Sequence, residues 1–328
     1  VSSYAGPPAF TLHRALTGWH IAPAVLVLAT AGAAAYLIAL IRLHRHGTPW
    51  APSRTAAFAL GTAVWVFTCC GGPGVYERVL FTDRAVQCVV LLMVVPLLLA
   101  LGAPVTLAAQ TLPTRAAQRL RAALAGRCSR ALMFPLVSTV LLIMPPWLLY
   151  YTSWYQNSLT HPGWNALFHT GFVAFGLAYY WPRLQIDPVA HHYHPLIGIV
   201  ITIAEVIFDA ALGFTLVYGH HQFATTYWQH LHRPWGMDPH TDQQWGGAVL
   251  WGLGDIAGIP FLVALIARFI KDEHQRTRDT DTALDRLDTQ HPTPANPGTE
   301  SGPRPENGER PWWLTDPQLA HRYRDPSP

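Results

Sequence analysis

Seven apolar runs, each long enough to cross a bilayer, constrain this chain more than any other feature. They cover residues 19–42, 55–77, 80–106, 131–151, 163–182, 195–218 and 245–269, each bounded by charge, Pro or Gly. A helix needs about 20 apolar residues to cross the hydrocarbon of a membrane. In lipid a spanning backbone must satisfy its own hydrogen bonds, so runs of this length are read as helices. A β-barrel would need alternating segments of about ten residues, and the sequence has none. The expected fold is therefore all-α: a polytopic membrane bundle of seven transmembrane helices.

Charge sets the orientation. The first loop carries Arg42, Arg45 and Arg54, and the third carries Arg115, Arg119, Arg121, Arg127 and Arg130. The fifth has Arg183, and Arg268 and Lys271 follow the last run. The even loops are poor in Lys and Arg, so the positive-inside rule predicts an outside N-terminus and a cytoplasmic C-terminus. Only 12% of residues are charged and the net charge is +3. That balance gives no reason to expect a nucleic-acid partner. The opening VSSYAGPPAFTLHRALTGW lacks a basic segment followed by a short apolar core, so the first span is expected to remain as a signal anchor.

Three segments follow: an extracytoplasmic stretch at 1–18, a seven-helix domain at 19–270 and a cytoplasmic tail at 271–328. The tail is polar and Pro-rich, a composition that cannot bury a core, and is expected to be disordered. Its Trp312 and Trp313 read either as a docking motif, on a partner or at the inner membrane surface, or as an inert remnant.

Ionisable groups inside spans are costly and are functional candidates by default. They are Arg84, Glu205, Asp209 and Asp255, with Cys88 and His169 added as metal-ligand types. At a 1.5 Å rise per residue, Arg84 lies ~6 Å below the outer end of its span, Cys88 ~12 Å, His169 ~9 Å, Asp209 ~14 Å and Asp255 ~15 Å. Several therefore share a level in the outer half of the bundle. Arg84 and Cys88 are i,i+4, as are Asn165 and His169, and Glu205 and Asp209, which puts each pair on one helix face. One reading makes Arg84 the counter-ion of Asp209 or Asp255. The other makes Cys88, His169 and Asp209 a metal site. Cys69 and Cys70 are thiols of the kind that suits copper(I), or small packing residues beside a Gly-Pro turn. The loop from Gly219 to Gly247 carries five histidines and Met237 without a fixed ligand spacing. No catalytic signature is present, so no enzyme activity is expected.

Several stretches resemble one family. They are PPAFTLHRALTGWHIAP, GTPWAPSR, GVYERVLFTDRAVQCVVLLMVVPLLLALGAPVTL, NALFHTGFVAFGLAYYWPRLQIDP, DQQWGGAVLWGLGD and PWWLTDP. Together they resemble the multi-span CtaG-type cytochrome c oxidase assembly proteins of bacteria, over nearly the whole chain to about residue 272. The most specific are LLLALGAPVTL and DQQWGG, the latter holding Asp242, Gln243, Gln244, Gly246 and Gly247. The resemblance implies a plasma-membrane protein that helps mature a haem–copper oxidase at its copper centre. Its partners would be oxidase subunits or a copper chaperone. The family's third-span motif looks like H-M-x-Q-H. In this chain it reads RAVQC, with Arg84 and Cys88 where two histidines are expected and Gln87 retained. Asn165 likewise stands at a position that is often His. The expected function is assembly of cytochrome c oxidase. A transporter for copper or another small solute, and a scaffold without metal binding, are the alternatives.

Overall fold

The computed structural model describes residues 4, 6–124, 126, 134–184 and 195–290. The described residues form helices and no strand. In chain order the helices are α1 (Leu12–Thr17), α2 (Pro23–Arg45), α3 (Pro52–Cys70), α4 (Gly72–Tyr76) and α5 (Phe81–Val89). A π-turn (Val90–Val94) leads into α6 (Val95–Leu101), α7 (Pro104–Thr111) and α8 (Thr114–Leu124). Then come α9 (Pro135–Tyr151), α10 (Trp154–Thr160), α11 (Pro162–Leu184), α12 (Pro195–Tyr218), α13 (Thr225–Leu231) and α14 (Pro239–Gln290). The chain divides into two units, Val1–Lys271 and Asp272–Pro328.

Proline punctuates this architecture. Helices α2, α3, α7, α9, α11, α12 and α14 all begin at a Pro. The first helical position leaves its N–H unpaired in any case, and proline's fixed φ is already helical. Asp238 precedes Pro239 and accepts from the backbone N–H of His240 (3.0 Å) and Thr241 (3.1 Å). Hydrogen bonds from Thr241 and His240 hold this exposed carboxyl below the usual aspartate range.

Three helical stretches are long and apolar enough to cross a membrane: Pro23–Arg45, Pro52–Tyr76 and Phe81–Thr111. A fourth is a pair bent by 69°, Leu136–Tyr151 followed by Trp154–Thr160. Helices α11, α12 and α14 cover the three remaining apolar runs. The stretch Phe81–Thr111 is the central one, 61% buried against 17% for Pro23–Arg45 and 33% for Pro52–Tyr76. Its α6 packs between α3 and α11.

The π-turn has a covalent cause. Pro96 has no N–H to give the carbonyl of Leu92 four residues earlier, and its ring crowds that carbonyl. The backbone widens there, and Gly176 of α11 fits against it: a Cβ at Gly176 would strike the Leu92 oxygen and the Pro96 ring. Gly176→Ala is therefore expected to force α11 off the central helix and cost about 1–3 kcal/mol of stability. Thermal unfolding in detergent reads this out, and an unchanged midpoint would contradict the close approach.

One expectation changes at the C-terminus. The polar segment expected to be disordered from residue 271 is helical through Gln290. No Pro or Gly interrupts the chain between Pro260 and Pro292, so nothing local ends the helix sooner. Residues 291–328, with Trp312 and Trp313, lie outside the described residues, as do Arg127, Arg130 and the histidines at 191, 192 and 194.

Candidate functional site

A buried polar cluster forms where α4 turns into α5. Its centre is Glu77, 1% exposed. Glu77 Oε1 accepts a hydrogen bond from Asn165 Nδ2 at 2.5 Å. Its Oε2 accepts from Gln87 Nε2 at 2.9 Å and from His169 Nε2 at 2.8 Å. The guanidinium of Arg84 lies 3.8 Å from Oε2 and donates to Asn165 Oδ1 at 2.9 Å. Arg84 also lies over the Phe168 ring, 4.6 Å from its centroid. Gln87 donates a second bond to the Thr68 carbonyl at 2.9 Å. Three helices are thereby tied together: α3 through Thr68, α5 through Arg84 and Gln87, and α11 through Asn165 and His169.

Helical periodicity makes this possible. Arg84 and Gln87 are one turn apart on α5, and Asn165 and His169 one turn apart on α11, so each helix presents a short polar face inward. A buried charge survives only when paired and hydrogen-bonded, and Glu77 meets both conditions.

Glu77 is the residue that the sequence reading missed. It ends the second apolar run, where a charge ordinarily marks the exit to water. Here the chain covers it. Tyr76 donates to the Pro8 carbonyl at 3.0 Å and stacks edge-on with Phe10. The His20 N–H donates to the Cys70 carbonyl at 2.7 Å. From the other side Tyr227 donates to the Arg78 carbonyl and Arg233 to the Val79 carbonyl.

The other expected partners of Arg84 go elsewhere. Asp209 is not its counter-ion; Glu77 is. Asp209 is partly buried on α12, and Asp255 is exposed on α14. Glu205 belongs to a second cluster: Arg183 Nη2 lies 3.1 Å from its Oε1, and Tyr179 donates to its Oε2 at 2.7 Å. Arg183 also donates to Thr139 at 2.7 Å. This cluster joins α9, α11 and α12. The depth argument fixed heights along each helix; which faces meet depends on packing.

The metal reading does not find a donor set. Cys69, Cys70 and Cys88 are buried free thiols within the main apolar cluster. His169 Nε2 is engaged by Glu77, and Arg84 places a fixed positive charge beside it. Among the described residues no three His, Cys, Asp or Glu side chains converge in a metal-holding group.

The DQQWGG stretch acts as a clasp at the same end of the bundle. Asp242 is 1% exposed. Its carboxylate accepts from the backbone N–H of Phe81 (2.9 Å) and Thr82 (3.2 Å) and from the Thr82 hydroxyl (2.7 Å). It thereby caps α5, whose own N-cap residue Leu80 supplies no side-chain bond. Arg233 lies 3.5 Å from the same carboxylate. Gln243 accepts from the Phe223 N–H and donates to the His221 carbonyl, both at 2.9 Å, pinning the loop after α12. Gln244 donates to the Val217 carbonyl at 3.1 Å, in the last turn of α12. Gly246 faces Phe81 so closely that a Cβ would strike the ring, and Gly247 lies against Leu216 and the Gly213 carbonyl.

Comparison with known proteins shows the family. A family model described as cytochrome c oxidase caa3 assembly factor matches residues 34–272. Uncharacterized proteins of Mycobacterium bovis and Mycobacterium tuberculosis are each 27% identical over 297 residues, covering 86% of this chain and 44% of theirs. One from Mycobacterium leprae is 24% identical over 269 residues, covering 80% of this chain and 41% of its own. The chain thus spans less than half the length of these relatives. No solved structure gives a significant match.

Proposed function

The chain belongs to the cytochrome c oxidase caa3 assembly factor family, and from that membership we propose that it is a membrane-embedded, non-catalytic assembly factor for a haem–copper cytochrome c oxidase. The observation that carries the reading is the family match across residues 34–272, which takes in both the Glu77 cluster and the DQQWGG clasp. In this reading seven helices cross a bacterial plasma membrane, with the N-terminus outside. The Arg-rich odd loops support that orientation.

The work of such a factor is to hold a partner, and the polar residues suit bracing. Arg84, Glu77, Asn165 and His169 bond to one another across helices, as a rigid docking body requires, although Nε and Nη2 of Arg84 have no hydrogen-bond partner among the described residues. Oxidase subunits or a copper chaperone are the partners in this proposal. Copper enters as the oxidase's own metal, and no ligand role falls to RAVQC. The transport alternative needs a continuous polar route. Along α11 the two polar clusters are separated by buried Phe172, Val173 and Gly176, over about 15 Å of helix rise, which favours assembly over transport.

Gene deletion tests the proposal. Membranes of the deletion strain are expected to lose most cytochrome c oxidase activity and assembled oxidase copper, and the full-length gene should restore both. Normal oxidase activity and copper content in the deletion strain would reject the assembly role. Cellular copper accumulation that changes while oxidase stays normal would favour transport.

A further inference from the structure

At the loop end of the bundle, a cavity of about 580 Å³ opens between the end of α9, α10 and the end of α12. That volume falls in the range of small-ligand sites. Its walls are mainly aromatic: Tyr150, Tyr151, Tyr155, Phe214, Tyr218 and Phe223. The rings do not form a parallel stack. Tyr151 and Phe223 meet at 72° with centroids 5.2 Å apart, Tyr150 and Phe223 at 60° and 6.1 Å, and Phe214 and Tyr218 at 42° and 4.6 Å. The rings pack on one another and on their neighbours, Tyr150 stacking on Phe81 and Tyr151 on Trp147, and together they make an aromatic wall.

The polar residues of the lining are neutral hydroxyls and an amide (Thr152, Ser153, Gln156, Thr215) and two histidines, His220 and His221. Among the described residues that line it there is no Lys, Arg, Asp or Glu. Two helices end in it, α9 at Tyr151 and α12 at Tyr218. A helix C-terminus is the negative end of the helix dipole; here the Leu148, Thr215 and Val217 carbonyls are already taken by Thr152, Gly219 and Gln244, which leaves the dipole and the remaining end carbonyls. Aromatic faces are negative as well, and they attract organic ammonium groups. The cavity thus combines π faces with helix carboxyl ends and has no carboxylate to hold a metal cation. Entry is open: Tyr151 is 52% exposed, Phe214 57% and Tyr218 63%.

We propose that this cavity binds a small organic ammonium group, by cation–π contact with its aromatic walls and by attraction to the carboxyl ends of α9 and α12. The group could come from a free amine in solution or from the head group of a membrane lipid. Both present the same chemistry to the aromatic wall, and experiment separates them.

The test uses the full chain, purified in detergent. Tetramethylammonium chloride is titrated against sodium chloride at constant ionic strength, with thermal unfolding and intrinsic fluorescence as readouts. A saturable stabilisation specific to tetramethylammonium is expected. Choline is compared with 3,3-dimethylbutan-1-ol, which has nearly the same shape and no charge. Choline is expected to bind roughly tenfold more tightly. Tyr218→Leu is expected to weaken tetramethylammonium binding by a similar factor, while Tyr218→Phe, which keeps the π face, retains it. Tyr218 is largely exposed, so the apo melting point of both variants should match wild type. If it does not, Phe214→Leu serves as the second probe of the wall.

For the lipid source, the protein is reconstituted in nanodiscs of phosphatidylethanolamine or phosphatidylglycerol, and retained lipid is counted by native mass spectrometry. Selective retention of phosphatidylethanolamine that Tyr218→Leu abolishes assigns the site to a head group. A tetramethylammonium effect without lipid selectivity assigns it to a free amine. Equal binding of the neutral alcohol would overturn the proposal, as would tetramethylammonium and phosphatidylethanolamine both being indistinguishable from their controls. Binding that neither Tyr218→Leu nor Phe214→Leu alters would place the ammonium elsewhere and overturn it too.

Discussion

Glu77→Gln is expected to destabilise the protein by about 3–5 kcal/mol, the usual consequence of stranding one member of a buried ion pair. The substitution keeps the shape of the side chain and removes its charge. Arg84, 0% exposed, then has no compensating anion. His169 and Asn165 would also face an amide that can accept through only one atom, where the carboxylate accepted through two. Arg84→Met alone should cost a similar amount, because it strands Glu77. The double variant Glu77→Gln, Arg84→Met should recover part of the loss, with a coupling of about 0.5–3 kcal/mol. Arg84→Met combined with Asp209→Leu supplies the contrast. Those side chains share no contact, so their effects should add within about 0.5 kcal/mol. Chemical unfolding in detergent measures all of these. Additive losses for Glu77 and Arg84, with coupling between Arg84 and Asp209, would reverse the assignment of the ion pair.

The contrast between Glu77 and Asp209 also shows what was legible in the sequence. Helix positions were readable because their signals are local: apolar length, and a Pro at the start of α2, α3, α7, α9, α11, α12 and α14. Inward polar faces were readable for the same reason. Spacing alone puts His169 beside Asn165; on α5 it pairs Arg84 with Cys88, whereas Gln87 is the residue that joins the polar cluster and Cys88 lies in the apolar one. What could not be read was the facing of one helix toward another. A rise per residue gives height without azimuth, so Asp209 and Arg84 could share a level without meeting. Arg183, counted among the inside charges, instead pairs inside the protein with Glu205. Glu77 escaped for a different reason. Its burial is produced by Pro8 and Phe10 far upstream and by Tyr227 and Arg233 far downstream, none of which a local window contains. DQQWGG could be recognised as a distinctive stretch, but its task was invisible, because the helix it caps lies 160 residues earlier in the chain.

That capping makes Asp242 the second position where a single change should have a large effect. Asp242→Ala is expected to cost about 3 kcal/mol, combining a lost helix cap with the loss of charge-assisted hydrogen bonds in a buried setting. The N–H groups of Phe81 and Thr82 would lose their acceptor at the start of the most buried helical stretch. Arg233 would lose its carboxylate while still tied to the Val79 and Met237 carbonyls. Asp242→Asn should fall between wild type and Ala, since an amide oxygen can accept one of the bonds but carries no charge for Arg233. Global unfolding gives the magnitude, and amide hydrogen exchange gives the location. Protection at Phe81 and Thr82 should drop in both variants, by more than at the start of α11, which begins at Pro162 and makes no use of Asp242. A loss of stability with protection at those two amides unchanged would mean that Asp242 works through Arg233 alone. The helix carrying RAVQC would then be held in place by its packing rather than by the DQQWGG clasp.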